Sequence, residues 1–319
     1  MKTITSKDSR SNTTEAITIG RFAPSPTGDL HFGSLIAAVA SYLCAHEKNQ
    51  GKWLLRIEDV DTQRKQKGSV TSIVSTLECY GFKWDDEIIY QSQRDKYYQE
   101  ALNNLRDNIY PCSCSRKELQ NLTNENSYSY NYPGLCREGI LNKEVKNPSI
   151  RLRTTNDKIC FKDLCQSQIF CQKIHTDIGD FILKRRDQLF AYQLAVVVDD
   201  QLQNVNQIVR GADLFDNTPR QIYIQQLLNY QTPEYLHFPI ATTSDGKKLS
   251  KQNQAPQITT DNICNILDNL ISALKFLGQS PPSYSDFSNT DELWLWAMTH
   301  WKSDNIPKVM SSTYTNNKN

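Results

Sequence analysis

Residues 21–34 read RFAPSPTGDLHFGS, and the fold turns on what stands on either side of them. Before them, Ile17 to Ala23 (ITIGRFA) is apolar and β-branched enough for a buried strand, while SLIAAVASYLCAHE, from Ser34, has the unbroken apolar character of a packed helix. Pro24, Pro26 and Gly28 stiffen or sharpen the intervening turn. His31, Gly33 and Ser34 therefore fall where a helix begins and its free backbone N–H groups attract anions. An ordinary core connection has no use for Arg21 at the strand end or His31 at the helix start, so the pair marks a ligand site.

The rest of the chain supplies similar elements. Lys52 to Asp61 (KWLLRIEDVD) reads as a second buried strand ending in acidic residues, the end where a parallel sheet places its ligand contacts. Glu58 and Asp59 also suit capping of the next helix, and so does Asp61. A helix follows over Ser69 to Tyr80, stopped by Gly81. Ile150 to Arg153 and Ile159 to Asp163 are short strand-like pieces. A hairpin signal at Arg186 to Gln188 precedes the apolar run Ala191 to Val198, which predicts a strand central in the sheet with Tyr192 near its start. Gln207 to Leu214 (QIVRGADL) is a strand-to-turn element carrying Arg210, and arginine suits bidentate carboxylate recognition.

A chain of 319 residues can bury one large core or two domains, and its 38% hydrophobic and 22% charged content is ordinary for a soluble protein. A formal net charge of +1 rules out a uniformly basic surface, so a nucleic acid partner would have to meet a local patch. No run approaches a membrane span, and the polar first 15 residues, a loose tail, lack the apolar core of a secretory signal. Nine cysteines without an export signal indicate reduced thiols in a cytoplasmic setting, some of them available to a metal.

The opening stretch, R-F-A-P-S-P-T-G-x-L-H-x-G, resembles the HIGH signature of class I aminoacyl-tRNA synthetases in the form used by the glutamyl group. It departs from it where Ser34 replaces the second His, leaving His31 as the only imidazole. Lys247 to Gln252 (KKLSKQ), after TTSDG, resembles the KMSKS motif, with Leu249 for Met and Gln252 for the last Ser. The resemblance implies an α/β fold, a Rossmann-like parallel sheet with a zinc-stapled insertion and a small C-terminal helical region. It implies glutamate held by Arg21, Phe22, Ala23, Pro24, Ser25, Glu58, Tyr192 and Arg210, with Glu58 on the α-ammonium. ATP, with Mg2+, would be held by His31, Gly33, Ser34 and Lys251, of which His31 and Lys251 are the catalytic pair. Two arginines and one glutamate match a substrate with two carboxylates and one ammonium, and a buried arginine with no negative charge to answer it would reject glutamine.

Cys112 and Cys114 form a C-x-C, with Cys136 a loop's length further on. Three thiolates and one further ligand complete a tetrahedral zinc site able to staple a short insertion. The Y-x-x-x-C spacing of Tyr132 to Cys136, which the glutamyl-group enzymes that keep this zinc share, makes Tyr132 the fourth ligand. Tyr130, Cys160, Cys165 and Cys171 are competing candidates.

The resemblance divides the chain into a tail (1–15), the first half of the catalytic domain (16–109), an acceptor-type insertion with the zinc site (110–175), the second half with the lysine loop (176–255) and a helical C-terminal region (256–319). That last region, in which three tryptophans of ELWLWAMTHW read as core, is too small for the anticodon-binding domain of a full glutamyl-tRNA synthetase. The combination looks like the glutamyl-Q tRNA(Asp) synthetase family, implying tRNA-independent glutamate activation and transfer to queuosine of tRNA(Asp). No heptad is exposed, so a monomer is expected. The alternatives are a truncated synthetase charging a tRNA 3′ end, or a non-catalytic tRNA-binding paralogue. Lys184 to Arg186 and Arg64 to Lys67 are candidate contacts for the anticodon arm.

Overall fold

The computed structural model describes residues 17–48, 51–123, 131–166, 168–243, 246–249 and 258–314. The opening stretch joins strand β1 (Ile19–Phe22) to helix α1 (Phe32–His46), which starts two residues before Ser34. Strands β2 (Lys52–Ile57) and β3 (Asp85–Tyr90) extend a parallel sheet in the order β1-β2-β3, connected through helix α2 (Ser69–Cys79). Gly81, with φ +75°, ends the α2 segment as its sequence predicts. β3 was not foreseen, because its first residues, DDE, are acidic. It lies at the sheet edge, where the Asp85 carboxylate accepts from the Trp53 backbone N–H at 2.8 Å.

Helix α3 (Asp95–Asn104) leads to an insertion built on an antiparallel sheet of β4 (Ile109–Cys112), β5 (Ser149–Leu152) and β8 (Ile182–Lys184). It also holds helix α4 (Arg116–Thr123), the hairpin β6 (Lys158–Lys162) and β7 (Ile169–Lys173), and the short helix α5 (Ile174–Asp177). The expected turn after β8 is present: Arg185 and Leu189 are hydrogen-bonded across it, and Gln188 has φ +68°.

The chain then departs from expectation. Ala191 to Val198 is no strand but most of a buried helix, α6 (Tyr192–Leu202), in contact with α3 and with α7 (Thr218–Leu227). A helix covered on all sides is apolar all round, and over so short a run its pattern is indistinguishable from that of a buried strand. The second departure concerns the thiols. Cys160 and Cys171, expected to be reduced, face each other across the β6–β7 hairpin and form a disulfide. Register explains it, since the two residues are direct cross-strand partners.

Strands β9 (Gln207–Gly211) and β10 (Glu234–Phe238) form a parallel pair beside β1. Asn206 fastens the start of that seam: its backbone N–H donates to the Ile19 carbonyl at 3.1 Å, and its side chain accepts from Ile19 N–H at 2.8 Å. Beyond it β1 and β9 form no ladder. A seam flanked by outward-growing halves of a sheet is where α/β folds bind ligands.

Alternation assigns the faces. Phe22, Trp53, Leu55, Val209 and Phe238 join a core with α1, α2, α8 (Ile263–Phe276) and α9 (Thr290–His300). Leu54, Ile208 and Tyr235 join a second core with α3, α6 and α7. Period two therefore sends Arg21, Arg56, Arg210 and His237 to the α6–α7 side. The C-terminal region packs on α1 and adds a short parallel pair, β11 (Ile240–Thr242) with β12 (Ser311–Thr313). Two of its three motif tryptophans are core: Trp294, whose indole N–H donates to the Tyr80 carbonyl at 2.9 Å, and Trp301. Trp296 is half-buried and stacks on His300. No helix among the described residues is long and apolar enough to cross a membrane.

Candidate active site

A cavity of about 330 Å³ opens over the β1–β9 seam. It is lined by Arg21, Phe22, Ala23, Pro24 and Ser25 from the opening stretch, by Glu58 after β2, by Tyr192 at the start of α6 and by Arg210 on β9. His31, Gly33 and Ser34 line it from the N-terminus of α1, where His31 is the N-cap and makes no side-chain capping bond. A methyl group on Gly33 would come within 3.0 Å of the His31 ring and 3.7 Å of the Leu249 carbonyl. Glycine thus leaves the imidazole and the first helical amides accessible from the cavity. Lys251 lies outside the described residues. Lys248 of the same loop lines the cavity and pairs with Asp213.

The charges beneath the cavity are fixed by one another. Arg21 Nε donates to Asp200 Oδ1 at 3.0 Å, and Arg56 NH1 lies 2.8 Å from the same oxygen. Burial alone would raise the Asp200 pKa, but the two guanidinium groups outweigh it and hold this carboxyl below its ordinary value. Glu58 is the opposite case. Burial pushes its pKa up, against the pull of Arg56 and Arg21, and Arg56 NH2 is 3.5 Å from Glu58 Oε1. That buried oxygen has no hydrogen-bond partner among the described residues, so it is an acceptor prepared for a donor that comes with a ligand. Burial likewise raises the Tyr192 phenol.

Arg210 differs from Arg21 in having, among the described residues, only neutral acceptors. Its Nε donates to His237 Nε2 at 3.0 Å, NH1 to Gln221 Oε1 at 2.8 Å and NH2 to Thr218 Oγ1 at 2.8 Å. Three guanidinium groups, on Arg21, Arg56 and Arg210, thus stand against the carboxyls of Glu58 and Asp200. Among the described residues Arg210 is the one of the three with no carboxylate in direct contact.

Sequence reasoning missed Arg56, Asp200, Thr218, Gln221, His237 and Asp163. Their signal was a polar residue inside an otherwise apolar element, as with Arg56 in KWLLRI and His237 in EYLHF. The basic candidates for RNA contact are partly committed elsewhere: Arg185 pairs with Asp61 and Asp187, and Lys65 with Asp59.

A second polar site lies in the insertion. The thiols of Cys112, Cys114 and Cys136 all fall within 4.8 Å of one another. Cys114 Sγ is 3.7 Å from Cys136 Sγ, close to the roughly 3.8 Å edge of a tetrahedron with 2.3 Å zinc–sulfur bonds. Tyr132 Oη lies 3.4 Å from Cys112 Sγ and 3.6 Å from Cys114 Sγ, and accepts from Cys136 N–H at 2.9 Å. Three thiols and a phenol in this arrangement fit a tetrahedral divalent cation. Burial pushes the Cys114 thiol up to about 12 and raises the Tyr132 phenol too. For Cys136 burial is outweighed by hydrogen bonds from the Leu141 and Ser113 backbone, which bring the thiol down to about 6. Arg151 adds positive charge, its Nε 3.2 Å from Cys112 Sγ and its guanidinium 3.7 Å over the Tyr132 ring. Of the competing ligands, Cys160 and Cys171 are spent in the disulfide and Cys165 is buried near Pro307. Tyr130 is outside the described residues.

Comparison with known proteins agrees with this architecture. Residues 18–312 match the family described as tRNA synthetases class I (E and Q), catalytic domain, and the chain belongs to that family. Within it the chain groups with the glutamyl-Q tRNA(Asp) synthetases. It is 45% identical over 295 residues to the one from Pseudomonas fluorescens, covering 92% of this chain and 95% of that protein. It is also 45% identical over 294 residues to the one from Dechloromonas aromatica, covering 91% and 95%. A glutamate-tRNA synthetase structure from Elizabethkingia anophelis superposes with a TM-score of 0.76 at 24% identity, over 94% of this chain and 68% of that one, which shows the shared fold.

Proposed function

We propose that the cavity activates glutamate with ATP and that the glutamyl group is then passed to the queuosine base of tRNA(Asp). The observation that carries this reading is the charge pattern over the seam. Arg21 and Arg210 are available to two carboxylates, and the Glu58 oxygen that lacks a hydrogen-bond partner among the described residues is available to one ammonium. Glutamine keeps the α-carboxylate but would leave the arginine at its side-chain end buried without an anion, a cost of several kcal/mol.

ATP lies with its triphosphate at the N-terminus of α1, among the amides of Gly33 and Ser34 and the imidazole of His31. An oxygen of the glutamate α-carboxylate attacks the α-phosphorus. The bond from that phosphorus to the oxygen bridging it to the β-phosphate breaks, and pyrophosphate departs with the electron pair. His31 and the helix amides stabilise the charge that develops, and Lys251 joins them from the lysine loop. No covalent enzyme intermediate is needed, since positioning and electrostatics supply the acceleration. A hydroxyl of the acceptor base then attacks the carbonyl of the mixed anhydride, the bond from that carbon to the phosphate oxygen breaks, and AMP leaves with the electron pair while the hydroxyl proton passes to its phosphate or to solvent.

Cys112, Cys114, Cys136 and Tyr132 would hold one Zn2+, which when bound supplies a structural staple for the insertion. No described insertion residue lines the cavity, which supports a structural role for the metal. The names of the relatives support tRNA(Asp) as acceptor.

The test is glutamate-dependent exchange of pyrophosphate into ATP without tRNA, followed by transfer of labelled glutamate to tRNA(Asp) with and without queuosine. Exchange without tRNA and label on the queuosine-containing tRNA alone are expected. Label at the 3′ end would replace the acceptor, and absence of exchange would remove the activity.

A further inference from the structure

His237 of β10 stands opposite Arg210 of β9 in parallel register, and both are buried. Behind it lies Asp163, also fully buried, at the end of the β6 segment. Asp163 Oδ1 accepts from the backbone N–H groups of Cys165 at 3.0 Å and Gln166 at 2.9 Å. Its Oδ2 accepts from His237 N–H at 3.1 Å and from the His237 ring at Nδ1, 2.6 Å away. A carboxylate offers only acceptors, so the ring proton must sit on Nδ1, which makes Nε2 a bare acceptor for Arg210 Nε–H. Resting on the functional reading above, we propose that Asp163 and His237 are a positioning pair that orients Arg210 toward the substrate carboxylate without neutralising it.

The contrast with Arg21 explains the use of an imidazole. Arg21 is held directly by the Asp200 carboxylate, which cancels much of its charge. An aspartate in direct contact with Arg210 would do the same. Here the negative charge sits one residue further back, and a neutral ring transmits the orientation. Burial keeps the imidazole pKa below its ordinary value and Asp163 opposes that, so the ring stays neutral between them. With Gln221 and Thr218, His237 occupies three of the five guanidinium N–H groups. Two remain, the number a bidentate carboxylate contact requires.

The test compares His237→Leu, which deletes the acceptor, with His237→Gln, whose amide oxygen reaches the Nε2 position, in pyrophosphate exchange. For the leucine variant the KM for glutamate should rise about 10- to 100-fold while the KM for ATP holds, and the glutamine variant should recover most of that loss. An unchanged glutamate KM in His237→Leu, or equal losses for both substrates with no rescue by glutamine, overturns the proposal. Should the leucine variant not fold, nitrogen-15 NMR of the imidazole in the unaltered protein at neutral pH decides. A proton on Nδ1 and a bare Nε2 support the pair, and an imidazolium or an Nε2–H refutes it. Arg210→Ala separates this proposal from the functional reading. Loss of glutamate activation there, with none at position 237, sinks only the positioning pair; no loss at position 210 sinks the glutamate reading itself.

Discussion

The cavity over the seam and the cysteine cluster of the insertion are both polar sites, but they are held in opposite ways. Arg21, Arg56 and Arg210 are clamped between two extensive apolar cores, so their geometry exists before any ligand arrives. Around the thiols the buried apolar cluster among the described residues is Tyr110, Cys112, Leu119, Tyr132 and Cys136, three of which are candidate ligands themselves. The first site is preorganised by the fold. The second is a cluster able to hold a metal, and on the reading proposed above the fold there needs its ligand, as small metal-bound units do.

That difference can be broken experimentally. The largest effect is expected at the preorganised site. Arg210→Ala should lower kcat/KM for glutamate in exchange by about 10²- to 10³-fold, because a buried charge-assisted contact is deleted from a frame that cannot relax. A change below threefold would mean that the cavity is not rigid in this sense.

Next comes Cys112→Ser, or removal of metal by a chelator. Limited proteolysis read by mass spectrometry should show new cuts within 113–142 while the remainder resists, and exchange activity should persist. Activity falling in step with metal loss would merge the two regions.

Acidity sharpens the comparison further. Burial raises the Glu58 pKa, so protons compete with the substrate ammonium for the carboxylate. As pH falls through that raised value the glutamate KM should climb, by up to about tenfold per pH unit, while the ATP KM holds. Asp200, whose pKa is lowered by its arginines despite burial, should contribute nothing in that window. In stability the signs are also opposite. Below the ordinary carboxylate range Glu58 is protonated in both states, and its ionisation costs stability as pH rises through the raised value. The contribution of Asp200 is present above the ordinary range and lost as pH falls through its lowered one. The glutamate KM of Glu58→Gln should be high and flat over the same range.

The smallest effect lies far from both sites. The Asn289 side chain caps α9 by accepting from Glu292 N–H at 3.0 Å. Asn289→Ala should cost about 1 kcal/mol in denaturant unfolding and leave exchange kinetics unchanged.

Much of the site was legible before the fold. The rigid turn with an arginine before it and a histidine after it is local, and so are C-x-C and Y-x-x-x-C, because turn chemistry and ligand spacing are written in neighbouring residues. Eleven of the expected substrate-site residues line one cavity, although they come from positions as far apart as Arg21 and Arg210. Lys251 is outside the described residues.

By itself the sequence determined the β–turn–α entry, the second strand, the ligand types and the cysteine cluster. It could not decide that Ala191 to Val198 coils, since complete burial erases the periodicity that separates helix from strand. Nor could it say that Asp200 would neutralise Arg21 while His237 left Arg210 charged. Those partners are distant in sequence. Which polar side chains meet beneath the sheet depends on strand order and register, and only tertiary packing fixes those.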